Sequence, residues 1–373
     1  MDIRPAIADA EFSVRDISEA AEQKPGTVRF DIGQPDFRTP EAVTEGVAER
    51  LKEEHITYTS LWGLPELREE IAAYESHKAD FDADHVMVTT GGIGGLHCIM
   101  NGLLEDGQRV LLNDPAWMPY TLLARVSPGD FDQVPFFDAD GTVREDAVRA
   151  AVTDETELLV LNTPENPTGR VYTEQQVQAL GGIAAEHDLY IVADEVYDRL
   201  LYGGADHVSP AELFPDRTIL VNSLSKNFAM SGWRLGWIAA RNEALIHELG
   251  KVNRASTACP NHPAQLAAVT ALQEAQDYVT GMRDTFADRR DRTLRHIEEL
   301  GWDAVTPQGA IYVFPDVGQD SWTFANDLLE EGVAVIPGAA AGDHSDTNIR
   351  ICFGSVTADQ IDKGFDRVKE FVG

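Results

Sequence analysis

Five short runs of apolar, largely β-branched residues divide the middle of this chain, and each run stops abruptly at a polar or glycine-rich loop. The runs are residues 85–90, 109–112, 157–161, 189–193 and 218–221. Between them lie stretches rich in Ala, Gln and Glu, such as residues 174–187, whose composition favours helices. This alternation predicts an α/β fold whose central sheet is mostly parallel and flanked by helices on both faces. Ligands of such sheets bind beyond the carboxyl ends of the strands, which is where the unusual motifs of this chain fall.

The rest of the sequence predicts a smaller α+β domain built from both termini. Residues 276–300 carry charged and apolar residues at helical spacing and predict one long connecting helix. We expect an N-terminal segment over residues 1–42 that joins the small domain, a large domain over 43–276 and a small C-terminal domain over 277–373. A chain of 373 residues is long enough for two such domains.

The charge balance restricts the classes of molecule that this protein is expected to bind. The chain has 63 acidic and 30 basic residues and a net charge of −33, which argues against nucleic-acid binding through a basic face. The acids are spread along the whole chain, a pattern that suits a surface kept hydrated at high salt. We therefore expect a protein from a salt-loving organism.

Targeting and redox signals favour the cytoplasm. Three scattered cysteines give neither a disulfide framework nor a metal-ligand spacing. No apolar run approaches the length of a membrane span, and residues 1–5 lack the pattern of a secretory signal. We expect a cytoplasmic protein that binds neither membranes nor metals.

One lysine stands out in the segment that follows the last apolar run. The chain has only seven lysines, and Lys226 lies next to small hydroxyl residues in Ser223-Leu224-Ser225-Lys226. A lysine at the end of a strand can form an imine with an aldehyde cofactor, and Ser223, Ser225 and Arg234 could bind the phosphate of that cofactor. An ordinary lysine in a strand-to-helix loop is the alternative interpretation.

Two further loops add to this hypothesis. Gly91-Gly92-Ile93-Gly94-Gly95 opens a helical stretch after an apolar run, where glycines and free helix N–H groups can cradle an anion. A tight strand-to-helix connection explains the glycines equally well. Asp194 closes another apolar run, so we expect it to be partly buried and to need a cationic or hydrogen-bonding partner, and a protonated pyridine nitrogen would serve. A helix N-cap is the alternative role for Asp194.

Taken together, these loops resemble those of the class I and II aminotransferases, which depend on pyridoxal 5′-phosphate (PLP). The resemblance extends from residues 31–37 to residues 348–351. Its most specific pieces are residues 166–169 (Asn-Pro-Thr-Gly), 194–197 (Asp-Glu-Val-Tyr) and 223–226 (Ser-Leu-Ser-Lys). It implies PLP as the cofactor and an amino acid and a 2-oxo acid as substrates.

The resemblance also implies roles for single residues. Lys226 would form the Schiff base and carry a proton between the substrate Cα and the cofactor, while Asp194 would pair with the ring nitrogen. Asn166 and Tyr197 would contact the phenolic oxygen, and Trp117 would stack on the ring. The phosphate ligands implied are Ser223, Arg234 and the backbone amides of Gly91, Gly92 and Ile93.

Substrate binding and assembly follow from the same resemblance. Arg350 matches the arginine that binds the substrate α-carboxylate, helped by Asn166 and the backbone at Gly33. Arginine suits that task because its planar fork pairs with a carboxylate through two hydrogen bonds. Tyr58 matches a tyrosine that reaches the phosphate in a partner subunit, so we expect a homodimer with shared active sites.

Departures from the family pattern bear on specificity. Ile93 stands where relatives often carry a hydroxyl or a lysine, and the loop over residues 337–342 has alanines where many relatives carry an aromatic residue. Arg15 and Arg38 could read a distal carboxylate, although solvated surface arginines are the alternative. We expect ping-pong transamination with 2-oxoglutarate or pyruvate as acceptor, and with neutral or aromatic donors slightly favoured over aspartate. A β-eliminating C–S lyase and a non-catalytic PLP-binding regulator are the competing hypotheses.

Overall fold

A computed structural model describes residues 13–373, so the expectation for residues 1–5 and the start of the predicted segment 1–42 lie outside the described residues. The helices are α1 (Ser13–Glu22), α2 (Glu41–Glu53), α3 (Pro65–Glu75), α4 (Gly91–Leu103), α5 (Pro119–Val126), α6 (Glu145–Ala151), α7 (Glu174–Glu186), α8 (Pro210–Leu213), α9 (Leu224–Asn227), α10 (Glu243–Thr257), α11 (His262–Glu274), α12 (Gln276–Leu300), α13 (Ser321–Glu330) and α14 (Ala358–Val372). The strands are β1 (Val28–Arg29), β2 (Val86–Thr89), β3 (Arg109–Asn113), β4 (Asp130–Val134), β5 (Thr156–Asn162), β6 (Tyr190–Asp194), β7 (Thr218–Ser223), β8 (Gly236–Ala239), β9 (Tyr312–Val313), β10 (Val333–Ala334), β11 (Ile336–Pro337) and β12 (Ile349–Cys352).

A seven-stranded sheet of order β2-β8-β7-β6-β5-β3-β4 forms the centre of the molecule. Strands β3 to β7 run parallel to one another, whereas β8 runs antiparallel to its neighbours β2 and β7. The prediction of a mostly parallel sheet is therefore confirmed, and each of the five predicted runs forms one of its strands.

Both faces of this sheet are buried. Successive side chains of a strand point to opposite sides, so each strand contributes to the packing on both faces. In β5, Leu158 and Val160 join the apolar cluster that includes residues of α4 and α10. Their neighbours Leu159 and Leu161 join the cluster that includes residues of α7. The near-continuous apolar sequence of the strand is what such two-sided burial requires.

Polar side chains meet at one edge of the sheet. In the register of the strands, Asn162 of β5 lies opposite Asp194 of β6, and Asp194 lies opposite Val221 of β7. Strand β7 ends two residues later at Ser223, and the single turn α9 that follows carries Lys226. The carboxyl edge of the sheet thus brings together residues that are far apart in the sequence.

The second part of the fold combines the two ends of the described chain. Strands β11, β12 and β9 form an antiparallel sheet, and β1 pairs with β10 through the partners Val28 and Val333. Phe30, Phe324 and Phe365 are buried in its shared core. The smaller α+β unit built from both termini is therefore observed, while the division at residues 42 and 276 stays a prediction.

The predicted connecting helix is confirmed as α12, which ends at Gly301 in the left-handed conformation with φ of 69°. A glycine serves there because it adopts positive φ without a side-chain clash. Within residues 13–373, every helix is too short or too polar to cross a membrane.

Candidate active site

A cavity of about 870 Å³ lies at the carboxyl edge of the central sheet and is closed on its other side by the smaller sheet. Of the residues predicted for cofactor or substrate binding, those that line it are Gly33, Gly92, Ile93, Trp117, Asn166, Asp194, Tyr197, Ser223, Ser225, Lys226, Arg234 and Arg350. The structure therefore gathers residues from eight or more separate segments of the sequence around one space.

Lys226 enters this cavity from the turn that follows β7. Ser223 caps the turn by accepting a hydrogen bond from the backbone N–H of Ser225, at 3.3 Å. The Lys226 amine donates to the backbone carbonyl of Gly33 and lies 5.9 Å from the centre of the Tyr197 ring. Burial lowers the pKa of Lys226 to about 8, so a substantial fraction of the amine is neutral in mildly basic solution.

Asp194 is buried at the end of β6. Its Oδ2 atom accepts a hydrogen bond of 2.6 Å from the Tyr120 hydroxyl, and its Oδ1 atom accepts one of 3.4 Å from the Val196 N–H. Burial raises the pKa of Asp194 to about 6 despite these donors. A cationic N–H placed against this carboxylate would favour its ionised form. A protonated pyridine ring provides such an N–H.

The third corner of the cavity can hold an anion. Helix α4 begins at Gly91, whose φ is +71°, and Arg234 approaches so closely that a Cβ at Gly91 would lie 2.6 Å from a guanidinium nitrogen. Arg234 donates to the Ser231 carbonyl at 2.8 Å and forms no ion pair with any carboxylate of residues 13–373. The helix start and this free guanidinium suit a phosphate.

A fourth group, Arg350, projects from β12 and is 8% exposed. It donates to Asn166 Oδ1 at 3.3 Å and to the Asp31 carbonyl at 2.8 Å, and it lies 4.7 Å from the centre of the Tyr312 ring. Its Nε atom is buried without a hydrogen-bond partner in the described part of the chain. A buried N–H without an acceptor is costly, so an anionic ligand at this point would be stabilising.

Glycine is required at position 33 for this arrangement. A Cβ there would lie 2.7 Å from the Tyr312 hydroxyl and 3.6 Å from the Arg350 guanidinium. The backbone of Gly33 therefore borders the space in front of Arg350, as predicted from the family resemblance.

Two tyrosines of the site were not predicted from the sequence. Tyr120 lies three positions after Trp117, and their rings meet edge to face with centroids 5.3 Å apart. Tyr120 is also an aromatic residue inside helix α5, close in sequence to the predicted Trp117, and this proximity was a usable signal. The Tyr312 hydroxyl lies 2.8 Å from that of Tyr197, and burial raises the pKa of Tyr312 to about 12. Tyr312 comes from a short strand without any distinctive motif, so it could not be predicted from the sequence.

Of three other predicted residues, two lie away from the cavity lining. Tyr58 is 88% exposed and does not line the cavity of its own chain. Arg38 also lies away from the cavity lining, and its backbone carbonyl accepts a hydrogen bond from the Tyr278 hydroxyl. Arg15 borders the cavity, but its side chain is largely exposed and pairs with Glu19 at 2.9 Å.

The cavity residues fit PLP. The buried carboxylate suits the pyridine ring, and the amine of lowered pKa suits the aldehyde. The helix start beside Arg234 suits the phosphate. Arg350, with a buried N–H that has no acceptor in the described part of the chain, suits the carboxylate of the substrate. All four groups line the same space or lie next to it.

Comparison with known proteins places this site in a family. The sequence model described as aminotransferase class I and II matches residues 25–368, and the chain belongs to this family. It is an aminotransferase that depends on PLP.

Individual relatives cover nearly the whole chain. The probable aspartate aminotransferase of Methanocaldococcus jannaschii is 34% identical over 92% of both chains. The aspartate/prephenate aminotransferase of Thermus thermophilus is 36% identical over 93% of this chain and 91% of its own. The solved structure of a Thermus thermophilus aspartate aminotransferase with maleate is similar over 99% of both chains, with a TM-score of 0.93 and 32% identity.

Proposed function

We propose that Lys226, Asp194 and Arg350 carry out the transfer of an α-amino group from an amino acid to a 2-oxo acid. The observation that carries this proposal is their convergence on one cavity, each in the state that the reaction needs. The amine has a pKa of about 8, and the carboxyl group is buried with a pKa of about 6. The guanidinium has one N–H without an acceptor among the described residues.

Lys226 is the proposed base. Bound PLP supplies an aldehyde that takes up amino groups and a pyridine ring that accepts electrons when the Cα proton leaves. Lys226 would hold PLP through its amine in the resting enzyme. When a substrate is bound, the free amine would be the base that takes and returns the Cα proton.

Asp194 and its neighbours are proposed to hold the ring. Asp194 keeps the proton on the ring nitrogen, and the Tyr120 hydroxyl fixes the orientation of its carboxylate. Asn166 and Tyr197 contact the phenolic oxygen, and Trp117 stacks on the ring. The proposed phosphate ligands are Ser223, Ser225, Arg234 and the backbone amides of Gly91, Gly92 and Ile93.

Arg350 is proposed to orient the substrate through its α-carboxylate, with Asn166 and the Gly33 backbone beside it. The free Nε–H and one Nη–H of Arg350 form a pair of donors that matches the two carboxylate oxygens. Tyr312 supports this group through the contact of its ring with the guanidinium.

The donor is proposed to be aspartate, with aromatic amino acids as a second group. Relatives named for aspartate support the first choice, and a Thermococcus litoralis relative at 32% identity is named an aromatic-amino-acid aminotransferase. Arg125 of α5 lines the cavity, is half-buried and forms no ion pair within residues 13–373, so it is the candidate for the distal carboxylate. Apolar side chains on the same lining, including Leu122 and Trp322, favour an aromatic donor.

We further propose a homodimer in the cytoplasm of a halophile. The exposed Tyr58 is near other exposed apolar residues in the sequence, Leu51 and Ile56, and a second copy of the chain would bury them. The net charge of −33 supports a requirement for high salt. Equilibrium sedimentation across a salt series tests both points, and a monomer at every salt concentration contradicts the dimer.

An absorbance spectrum of the purified protein in high salt, followed by single amino acids without an acceptor, tests the proposal. We expect a visible band from bound PLP that bleaches with the true donor, since half of the reaction then runs to completion. Persistence of the band while pyruvate and ammonia accumulate would identify the lyase instead. A protein that never binds PLP would contradict the assignment of the site.

A further inference from the structure

A buried lysine outside the cavity holds three carboxylates. Lys78 follows helix α3, and its side chain has no exposed surface. Its Nζ atom lies 2.8 Å from Glu75 Oε2, 2.8 Å from Glu195 Oε2 and 2.5 Å from Asp198 Oδ2. The side chains of these three acids are at most 1% exposed. One ammonium group is thus the common cation of three buried acids.

Two of these acids belong to the loop that carries cofactor-binding residues. Glu195 directly follows Asp194, and Asp198 directly follows Tyr197. The side chains of Asp194 and Tyr197 line the cavity, whereas those of Glu195 and Asp198 face Lys78. The ammonium therefore anchors this loop on the side away from the cavity.

The same carboxylates also bind the segment that carries Lys226. Asn222 Nδ2 donates to Glu75 Oε1 at 3.0 Å and to Asp198 Oδ2 at 3.2 Å. Asn227 Nδ2 donates to Asp198 Oδ1 at 2.7 Å. These two asparagines flank residues 223–226, so both ends of that segment are tied to acids that Lys78 holds.

The remaining contacts fix the orientation of the carboxylates. Trp237 Nε1 donates to Glu75 Oε1 at 3.0 Å, and the Ser209 hydroxyl donates to Glu195 Oε1 at 2.5 Å. His207 Nε2 lies 3.0 Å from Glu195 Oε2. With these partners in place, the acids can shift little without breaking several buried hydrogen bonds at once.

The charges in this cluster depend on one another. Burial alone would raise the pKa of Glu195, but Lys78 and His207 lower it to about 2. Burial alone would lower the pKa of Lys78, but the three carboxylates raise it well above its ordinary value. Loss of the ammonium would leave buried acids without their cation, which is far more costly than loss of a surface ion pair.

We propose that Lys78 is a positioning residue for the transamination reaction, which locks the loop of Asp194 and Tyr197 in register with the segment of Ser223 and Lys226. The inference rests on the proposed roles of these residues. Lys78 touches neither substrate nor cofactor and acts through Glu195, Asp198 and the two asparagines. Misplacement of reacting groups by about 1 Å can cost roughly 100-fold in rate, so a lock of this kind affects turnover directly.

The principal test is Lys78→Met, which keeps the length of the side chain and removes its charge. We expect kcat to fall roughly 10- to 100-fold and the Kd of the apoenzyme for PLP to rise at least about fivefold, because the two halves of the cofactor site lose their register. The KM for the amino donor should change less than about threefold, since Arg350 does not contact the cluster. Titration of apoenzyme with PLP, followed by absorbance, gives the Kd without any turnover.

Three control variants separate positioning from stability. Lys52→Met removes a surface lysine whose pair with Glu49 is largely exposed, and it should change nothing. Ile183→Ala opens a cavity in the buried cluster around α7 and should lower the melting temperature while the PLP Kd and kcat stay as in the wild type. Lys78→Met combined with Glu195→Gln keeps the net charge of the cluster, and we expect the loss of kcat to persist in it.

If Lys78→Met fails to fold, Asn227→Ala provides the test, because it removes one tie to Asp198 without removing a charge. We expect it to raise the PLP Kd and lower kcat in the same direction as Lys78→Met. Wild-type kcat and PLP Kd in either single variant, or in the charge-balanced double variant, would overturn the inference alone. A wild-type protein that does not bind PLP would instead overturn the proposed function, so the two failures are distinguishable.

Discussion

The two sides of the cavity are built on different principles. The inner wall consists of Asn162, Asp194, Ser223 and Lys226, at the carboxyl ends of β5 to β7 and in the turn α9. The outer wall consists of Arg125, Tyr312, Trp322, Ala339, Ala340 and Arg350. Polar groups of the inner wall bind other groups of the protein, as when Asn162 donates to the Asp194 carbonyl at 2.9 Å and accepts from the Asn166 N–H at 2.8 Å.

The outer wall leaves binding capacity free. Within residues 13–373, Arg350 keeps a buried N–H without an acceptor and Arg125 forms no ion pair. Ala339 and Ala340 leave space in a loop where larger side chains could stand. The contrast indicates that the inner wall sets the chemistry and the outer wall selects the substrate. Variants of the inner wall should therefore lower kcat for every donor. Variants of the outer wall should alter KM, for all donors alike at Arg350 and donor by donor at Arg125.

Lys226→Ala gives the largest expected effect. Loss of both the covalent anchor and the base should lower kcat by at least about 10⁴-fold for every donor. Steady-state assays with several amino acids check this result. Appreciable turnover in the variant would exclude Lys226 as the base, provided that the protein still binds PLP.

Asp194→Asn should lower kcat by about 10²- to 10³-fold, because an amide cannot stabilise the charged ring nitrogen as a carboxylate does. Tyr120→Phe is the matched control, since it removes only the hydroxyl that binds Asp194 and should cost less. An Asp194→Asn enzyme with normal kcat would remove the carboxylate from the mechanism and weaken the contrast between the walls.

Arg350→Ala should weaken substrate binding by about 1.5–3 kcal/mol, or about 10- to 150-fold in KM, as expected for a charge-assisted contact. Because the α-carboxylate is common to all donors, the loss should be similar for aspartate and phenylalanine. A KM that stays unchanged for every donor would exclude Arg350 from the substrate site.

The pH dependence of cofactor capture probes the inner wall directly. Only the neutral amine attacks an aldehyde, so capture of PLP by the apoenzyme should quicken about tenfold per pH unit below 8 and level off above it. The same shift predicts a stability effect of defined sign. Because burial disfavours the charged amine, Lys226 lowers the free energy of unfolding by its full amount below pH 8. This loss of stability disappears as the pH rises toward the ordinary lysine pKa. A capture rate that still rises tenfold per unit above pH 9 would show an unperturbed lysine.

Arg125→Ala is the smallest expected effect and the sharpest test of selection by the outer wall. The KM for aspartate should rise about three- to fivefold, as for a partly exposed ion pair, while the KM for phenylalanine stays the same. Arg15→Ala is the matched control, because Arg15 already pairs with Glu19 and should leave both constants unchanged. Equal changes for the two donors would show that Arg125 does not read the distal carboxylate.

The sequence was most informative about the inner wall. Asp194 and Lys226 follow strongly apolar strands, so their place at the carboxyl edge of a sheet could be predicted from local pattern alone. Strand β4, by contrast, has only two apolar residues within Asp130–Val134, and strand β8 has one β-branched residue within Gly236–Ala239. Neither was predicted, although the fold class was.

The roles of residues whose partners lie far away in the sequence could not be predicted. Lys78 lies in a polar stretch that reads as an exposed loop, and only the approach of Glu195 and Asp198, more than a hundred positions away, makes it the centre of a buried cluster. The prediction of Arg350 accordingly rested on the family resemblance, since the backbone carbonyl that it binds, that of Asp31, lies 319 positions away. Tertiary contacts of this separation leave no periodicity for a sequence pattern to reveal.

The reversed strand β8 has a consequence for how the phosphate site can vary. In every parallel strand the carboxyl edge is where the chain leaves the sheet, but β8 enters there, so Gly236 lies in one row with Thr89 and Ser223. Arg234, two residues before β8, therefore lies at the same corner of the cavity as Ser223, the last residue of β7. One continuous hairpin-like segment, residues 223–236, thus supplies two of the proposed phosphate ligands, Ser223 and Arg234. An insertion or deletion within it would change the position of the guanidinium relative to the hydroxyl, so residues 228–233 should tolerate substitutions far better than changes in length.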